Sequence, residues 1–341
     1  MTPRPLAWVP DAVVEPHEGG AVVLDSRTFS YVELDRTGAA IWRAVADTAD
    51  IDAALDLLVE RYDVSREVLE RDLLAFVDRL AAQGFVAAPD QDDDPGREPP
   101  TAIERYLDLV ERSLVGLLPG SSGAARARHH LGLRAQGRDL SGLGITLIGL
   151  PRLRHLRLLV ERVIRDEVPG DLMECGVWRG GAVVMMRAVL AAHGVTDRTV
   201  WAADSFEGLP PATMAQDQMW QGYGGALAVD LDTVRANIAG YGLLDDQVRL
   251  LPGWFGDTLP GAPVEQLAVL RLDGDYYEST WDTLAALHHK VAPGGFVVVD
   301  DWSLESCRAA CEDFRAAQGI TAPVEIIDWS GAFWQVPLAA S

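Results

Sequence analysis

Apolar residues recur at two different spacings along the chain, and the spacing changes with position. Over residues 12–35 they come in short alternating runs, interrupted by Glu18-Gly19-Gly20 and by a tight turn near Ser26 and Arg27. That pattern predicts strands over 12–17, 20–28 and 29–35. The period then becomes helical. Thr37 offers a cap to a short helix over 38–46, and Asp50 offers one to a helix over 51–62 with Leu55, Leu58 and Val59 on one face. The longest repeat, Leu69, Leu73, Phe76, Val77 and Leu80, predicts a helix over 65–83 that stops at Gly84. Three strands and then three helices over residues 1–90 predict a small α+β winged-helix unit.

Residues 91–100 (QDDDPGREPP) are charged, proline-rich and without apolar anchors, so they read as a linker. Thr101-Ala102-Ile103-Glu104 supplies a capping box for a helix reaching about Leu118. The polar, glycine-containing stretch 119–139 reads as a mobile segment over a site, and 153–166 as an amphipathic helix. From Asp171 onward strands alternate with helices. Strands are expected over 171–175, 199–204, 248–251, 267–273 and 296–300, with helices over 181–193, 231–241, 279–291 and 304–318. Such β/α alternation makes a mostly parallel, doubly wound α/β sheet, here occupying a second domain over 101–341.

Composition narrows the function classes. At 341 residues the chain is long for one domain. A net charge of −22 leaves too few Lys and Arg to neutralise phosphates, which argues against nucleic acid as a partner. Cys175, Cys307 and Cys311 form neither a disulfide framework nor a zinc pattern, and read as small packed side chains in a reducing compartment. No apolar run approaches the roughly 20 residues of a membrane helix. The N-terminus MTPRPLAWVPDAVVEPHEGG lacks a basic region followed by an apolar one, so a cytoplasmic protein is expected.

The chemistry-bearing residues follow the expected strands. Glu174-Cys175-Gly176-Val177-Trp178-Arg179-Gly180-Gly181 leaves a strand and opens a helix, where glycines admit a ligand close to the backbone. The same run also describes an ordinary tight turn. Asp204, followed by Ser205, ends the second strand, where an acid either binds a ribose diol or caps the next element. Asp273 closes one strand, and Asp300 and Asp301 close another. If the two strands are neighbours, three carboxylates converge at one sheet edge. Uncompensated, they repel one another, and a hard cation such as Mg²⁺ resolves the repulsion. Asp275 reads as a solvated turn residue in preference to an acid standing behind the metal ligands, and His288 and His289 read as surface residues.

Five stretches occur here in family order: ITLIGLPRLRHLRLLVERVIRDEVPGDLMECGVWRGGA, DSFEGLP, GWFGDTLP, LRLDGDYYESTWDTLAAL and APGGFVVVDDW. With them, residues about 101–335 resemble the macrocin O-methyltransferase family, the TylF/MycF-like enzymes that methylate sugar hydroxyls on macrolides and aminocoumarins. The resemblance implies a Rossmann-like fold, S-adenosylmethionine and Mg²⁺ as cofactors, and a homo-oligomer. It assigns Asp273, Asp300 and Asp301 to the metal and Asp273 to the general base. Glu174, Gly176, Gly180, Asp204, Ser205 and Gly253-Trp254-Phe255 match cofactor-contacting positions. Cys175 stands where the family is expected to carry Thr, a small residue for a small one.

The segment GGAVVLDSRTFSYVELDRTGAAIWRAV and the two helices after it resemble the PqqD-like domain, which binds leader peptides in ribosomally made peptide pathways. The resemblance implies a peptide added as a strand, between the segment from Phe29 to Asp35 and the helix face from Val68 to Leu80. A winged helix can also bind DNA, but residues 1–90 hold 17 acids against eight Arg and no Lys, a net −9 that opposes phosphate contact. Joined on one chain, the two resemblances predict an O-methyltransferase of a leader-bearing precursor peptide. The alternatives are methylation of a sugar or other small-molecule hydroxyl in antibiotic biosynthesis, and a non-catalytic peptide-binding protein.

Overall fold

The computed structural model describes residues 7–8, 12–17, 20–25, 31–48, 51–62, 64–82, 86–87, 100–118, 134–138 and 144–338. Residues 91–99 of the expected linker and most of the stretch 119–139 lie outside them. The chain divides into two compact units, one drawn from 1–99 with 122–136 and the other from 100–121 with 137–341.

In the first unit, β1 (Ala7–Trp8) pairs antiparallel with β5 (Val86–Ala87). Strands β2 (Ala12–His17), β3 (Gly20–Asp25) and β4 (Tyr31–Asp35) form an antiparallel sheet in that order. Helices α1 (Arg36–Thr48), α2 (Ile51–Arg61) and α3 (Arg66–Ala82) follow. The helical repeat is met by its core, with Leu55, Leu58, Leu73, Phe76, Val77 and Leu80 buried around Trp42. The cap of α1 differs from expectation. Asp35 Oδ1 accepts the Gly38 N–H at 2.7 Å, so the helix starts two residues before Gly38, with Thr37 inside it. An acid three residues ahead of a free N–H is the stronger cap.

The second unit opens with α4 (Ala102–Leu114), whose capping box of Thr101 and Glu104 is formed. Buried Glu111 accepts from Arg154 and Arg157 and so ties α4 to α5 (Leu150–Arg165). The strands are β6 (Asp171–Cys175), β7 (Val200–Asp204), β8 (Val248–Pro252), β9 (Leu267–Leu272), β10 (Val291–Val299), β11 (Glu325–Ile326) and β12 (Ala332–Gln335). They lie in the order β11-β12-β10-β9-β6-β7-β8, parallel from β10 through β8, with β12 and β11 antiparallel. Helices α6 (Gly181–Ala192), α7 (Leu231–Gly240), α8 (Phe255–Thr258), α9 (Tyr277–Leu287) and α10 (Glu305–Gln318) complete the unit. No described helix is long and apolar enough to cross a membrane.

All five expected strands are present, and two points differ. Pro293-Gly294-Gly295, ahead of the expected strand start at 296, lies inside β10, where the pairing with β9 shifts register between Val291 and Phe296. A bulge is where a strand tolerates proline and glycine. Strands β11 and β12 were not expected at all. The five parallel strands carry the apolar core, and β9 is buried along its whole length.

Candidate active site

The C-terminal ends of the parallel strands gather the candidate residues. A cavity of about 530 Å³ opens there, within the size range of small-molecule sites. Glu174, Gly176, Asp204, Ser205, Trp254 and Phe255 line it, and so do Asp273, Asp300 and Asp301. Gly180 and Gly253 do not. Gly180 caps α6 in the left-handed region and faces Val234 and Ile238. Gly253, at φ +136°, donates its N–H to the Asp204 carbonyl at 2.9 Å and so presents its neighbour Trp254 to the cavity. Both glycines shape turns that border the cavity.

The first turn is built on Gly176. Its N–H reaches the Ala203 carbonyl at 2.9 Å, and its φ of +95° belongs to glycine. Asp204 closes the same turn, accepting from Val177 N–H at 2.7 Å, Trp178 N–H at 3.4 Å and Phe206 N–H at 2.8 Å. A carboxylate has about four acceptor positions, so little of Asp204 is left for a diol. Non-glycine residues in the left-handed region cluster here: Trp178, Phe206, Leu227 and Asp275 have φ between +47° and +62°. Such strain is characteristic of ligand sites.

Glu174, 2% exposed, places Oε1 2.5 Å from Arg271 Nη1, while its Oε2 is buried with no partner. Burial pushes its carboxyl up to about 8. An orphaned acceptor on a cavity wall fits the ammonium of an amino-acid moiety. Together with the Gly176 turn, it is what an amino-acid-bearing cofactor such as S-adenosylmethionine requires.

The acid cluster lies beside it. Strands β9 and β10 are parallel neighbours with Leu272 opposite Val299, so Asp273 and Asp300 emerge together. Asp273, Asp300 and Asp301 each present one oxygen within 4.8 Å of the others. They are not uncompensated, however, and that expectation is corrected. Arg271, fully buried in β9, donates from Nη1 to Asp273 at 2.9 Å and pairs through Nη2 with Asp300. Arg152 of α5 pairs with the other Asp300 oxygen and, at 3.1 Å, with Asp328. Buried acids need such partners.

Acids still outnumber guanidiniums. Burial and then Asp300 push Asp273 up to about 6, and burial and then Asp273 push Asp275 up to about 7. Burial and then Asp275 hold Asp301 well above the usual range. Among the described residues no hydrogen bond reaches Asp273 Oδ1 or Asp301 Oδ1. Hard, uncommitted oxygens in a field of excess negative charge fit a divalent cation.

Two side chains lie elsewhere than expected. Asp275 is no solvated turn residue; it lines the cavity and donates its N–H to Asp301 Oδ2 at 3.0 Å. His288 is half-buried, 5.3 Å from the Phe314 ring and 6.3 Å from the Trp334 ring, because it ends the packed face of α9. Arg271 and Arg152 were missed. A lone arginine in the apolar run of β9 was the available signal for the first, since a buried charge demands partners. The three cysteines are free and buried, as expected of packed side chains.

A doubly wound parallel sheet with a glycine turn after its first strand and acids at its carboxyl edge defines a Rossmann-like enzyme of the methyltransferase type. The chain belongs to the macrocin-O-methyltransferase (TylF) family, whose model matches residues 104–336, and it is an S-adenosylmethionine-dependent O-methyltransferase. It is 48% identical over 249 residues to the 8-demethyl-8-(2,3-dimethoxy-alpha-L-rhamnosyl)-tetracenomycin-C 4'-O-methyltransferase of Streptomyces olivaceus, covering 70% of this chain and 95% of that one. It is 43% identical over 254 residues to the mycinamicin III 3''-O-methyltransferase of Micromonospora griseorubida, covering 70% and 98%. The solved O-methyltransferase NovP superimposes with a TM-score of 0.65 at 47% identity, covering 69% of this chain and 99% of NovP. Residues 20–86 match the family of coenzyme PQQ synthesis protein D (PqqD).

Proposed function

We propose that this enzyme methylates a hydroxyl of a sugar carried by a natural product, and that it does so with a divalent cation. The observation that carries the reading is the acid cluster of Asp273, Asp300 and Asp301 on the same cavity wall as the Glu174 turn. The names of the relatives support the sugar. Each of the two relatives is spanned over at least 95% of its own length, so the likeness covers their whole catalytic unit.

S-adenosylmethionine, when bound, supplies an electrophilic methyl group. Glu174 Oε2 and the Gly176 turn hold its amino-acid end, and Trp254 and Phe255 wall the cavity. Asp273, Asp300 and Asp301 hold the cation, which when bound lowers the pKa of an acceptor hydroxyl. Asp273 would take the proton that this hydroxyl gives up. Arg271 keeps Asp273 aimed by holding its other oxygen. Much of the acceleration comes from placing donor and acceptor in line.

A second reading rests on the PqqD match, which lies outside residues 104–336. In it the acceptor is presented by a leader-bearing peptide. In the first unit β4 is an outer strand of its sheet, the position where a peptide strand can add. Docking between the segment from Phe29 to Asp35 and the face from Val68 to Leu80 is the form this reading takes; Phe29 and Ser30 lie outside the described residues.

The test is a competition assay on the full-length protein with S-adenosylmethionine and Mg²⁺, offering free glycosides and leader-bearing peptides together. Methylated glycoside alone supports the sugar reading. Methylation of unglycosylated peptide alone overturns it in favour of the second.

A further inference from the structure

Arg152 reaches the acid cluster from a helix outside the sheet. It lies in the first turn of α5, is 7% exposed, and joins two carboxylates: Nη1 to Asp300 Oδ2, and Nε to Asp328 Oδ2 at 3.1 Å. Asp328 uses its other oxygen to take the N–H groups of Ser330 at 2.9 Å and Gly331 at 2.8 Å, folding 328–331 into a tight turn. The Ser330 hydroxyl returns to the cluster, donating to the Asp300 carbonyl at 2.8 Å. Asp300 is thus fastened to this one turn through both its side chain and its backbone.

The turn carries Trp329, which lines the cavity and is 44% exposed. The Arg152 guanidinium carbon lies 5.3 Å from the centre of its ring. The passage for Arg152 is cut out of backbone that has no room for side chains. A Cβ on Gly331 would lie 2.8 Å from Arg152 Cδ, and one on Gly137, at φ +67°, 2.9 Å from Arg152 Nη2. A planar fork clamps two carboxylates in fixed relation, which the point charge of a lysine cannot do.

We propose that Arg152 is a positioning residue that keeps Asp300, and with it the cation site, in register with the Trp329 turn of the cavity wall. Occupation of the acid cluster is then felt at residues 328–331, and loosening that turn weakens the cluster. The inference rests on the reading of Asp273, Asp300 and Asp301 as the cation site.

The experiment compares full-length wild type, Arg152→Lys and Asp328→Asn. Mg²⁺ alone is titrated by calorimetry, S-adenosylmethionine is titrated separately, and hydrogen exchange is followed at 328–331 with and without Mg²⁺. In the wild type, Mg²⁺ slows exchange at Ser330 and Gly331. In both variants Mg²⁺ affinity falls about 10- to 100-fold, the range for residues that support metal ligands, and the added protection is lost. Affinity for S-adenosylmethionine stays unchanged, whereas general damage to the fold would lower both. Should Arg152→Lys not fold, Asp328→Asn alone decides, since it keeps the oxygen that takes the turn N–H groups. Wild-type Mg²⁺ affinity and protection in the folded variants overturn the inference while leaving the cation reading intact. A wild type that binds no divalent cation overturns both.

Discussion

A Cβ placed on Gly176 would lie 1.7 Å from the backbone carbonyl oxygen of Asp273. The two residues leave neighbouring strands β6 and β9, and the Asp273 N–H donates to the Cys175 carbonyl at 2.8 Å. One backbone contact therefore sets the distance between the turn proposed to hold the methyl donor and the acid proposed to receive the proton. Gly176→Ala must push these strand ends apart and also force alanine to φ +95°. The expected result is loss of S-adenosylmethionine binding in calorimetry together with a lowered unfolding midpoint. An alanine variant that binds the donor normally would contradict this placement.

Asp273→Asn keeps the size and the hydrogen-bonding shape of the residue but removes the proton acceptor. Turnover should fall by about 10² to 10⁴, the usual worth of a general base, with the fold and donor affinity retained. Steady-state rates alongside circular dichroism check it, and near-normal turnover would exclude Asp273 as the base.

Arg271 bridges Glu174, Asp273 and Asp300 from inside β9. Replacing it with methionine leaves two buried carboxylates, Glu174 and Asp300, and the half-buried Asp273 without their shared cation. Breaking a buried pair from one side costs about 3–5 kcal/mol, so Arg271→Met should lose that much in denaturant unfolding. A loss within experimental error would mean that these acids are already neutral in the folded protein.

The pH dependence has a definite sign. In the metal-free protein Asp273 is pushed up to about 6 and Asp275 to about 7, both by burial first, with Asp300 the next cause for Asp273 and Asp273 the next for Asp275. Unfolded aspartates titrate near about 3.9. Between these values the folded chain binds more protons than the unfolded one, so these groups cost stability as pH rises through the window. A cation that binds only the ionised acids offsets that cost. The rise in thermal midpoint on adding Mg²⁺ should therefore be larger at about pH 8 than at about pH 5.5. An equal or reversed response would place the cation elsewhere.

How much of this was legible before the structure depends on whether a residue's partners are local. Asp273, Asp300 and Asp301 each end an apolar run, and the order of strands and helices is enough to bring such ends together. The helix repeat of 65–83 foretold the buried face of Leu73, Phe76 and Leu80 for the same reason. Arg152 gave no such signal, because its partner Asp300 is 148 positions away and nothing on an amphipathic helix marks one arginine among several. Strand β12, four residues long, owes its existence to pairing along β10, and β11, two residues long, to pairing along β12, which no local period encodes. The site was thus readable as a set of acids, while the cations that arrange them were not.

The most direct measurement incubates the full-length protein with S-adenosylmethionine and a panel of natural-product glycosides, with Mg²⁺ or with a chelator. Products are followed by intact mass and located by two-dimensional NMR. A single methyl-for-hydrogen exchange on a sugar oxygen is expected, abolished by the chelator and restored by added Mg²⁺. Methylation that persists without any divalent cation, or that falls on nitrogen or carbon, would contradict it.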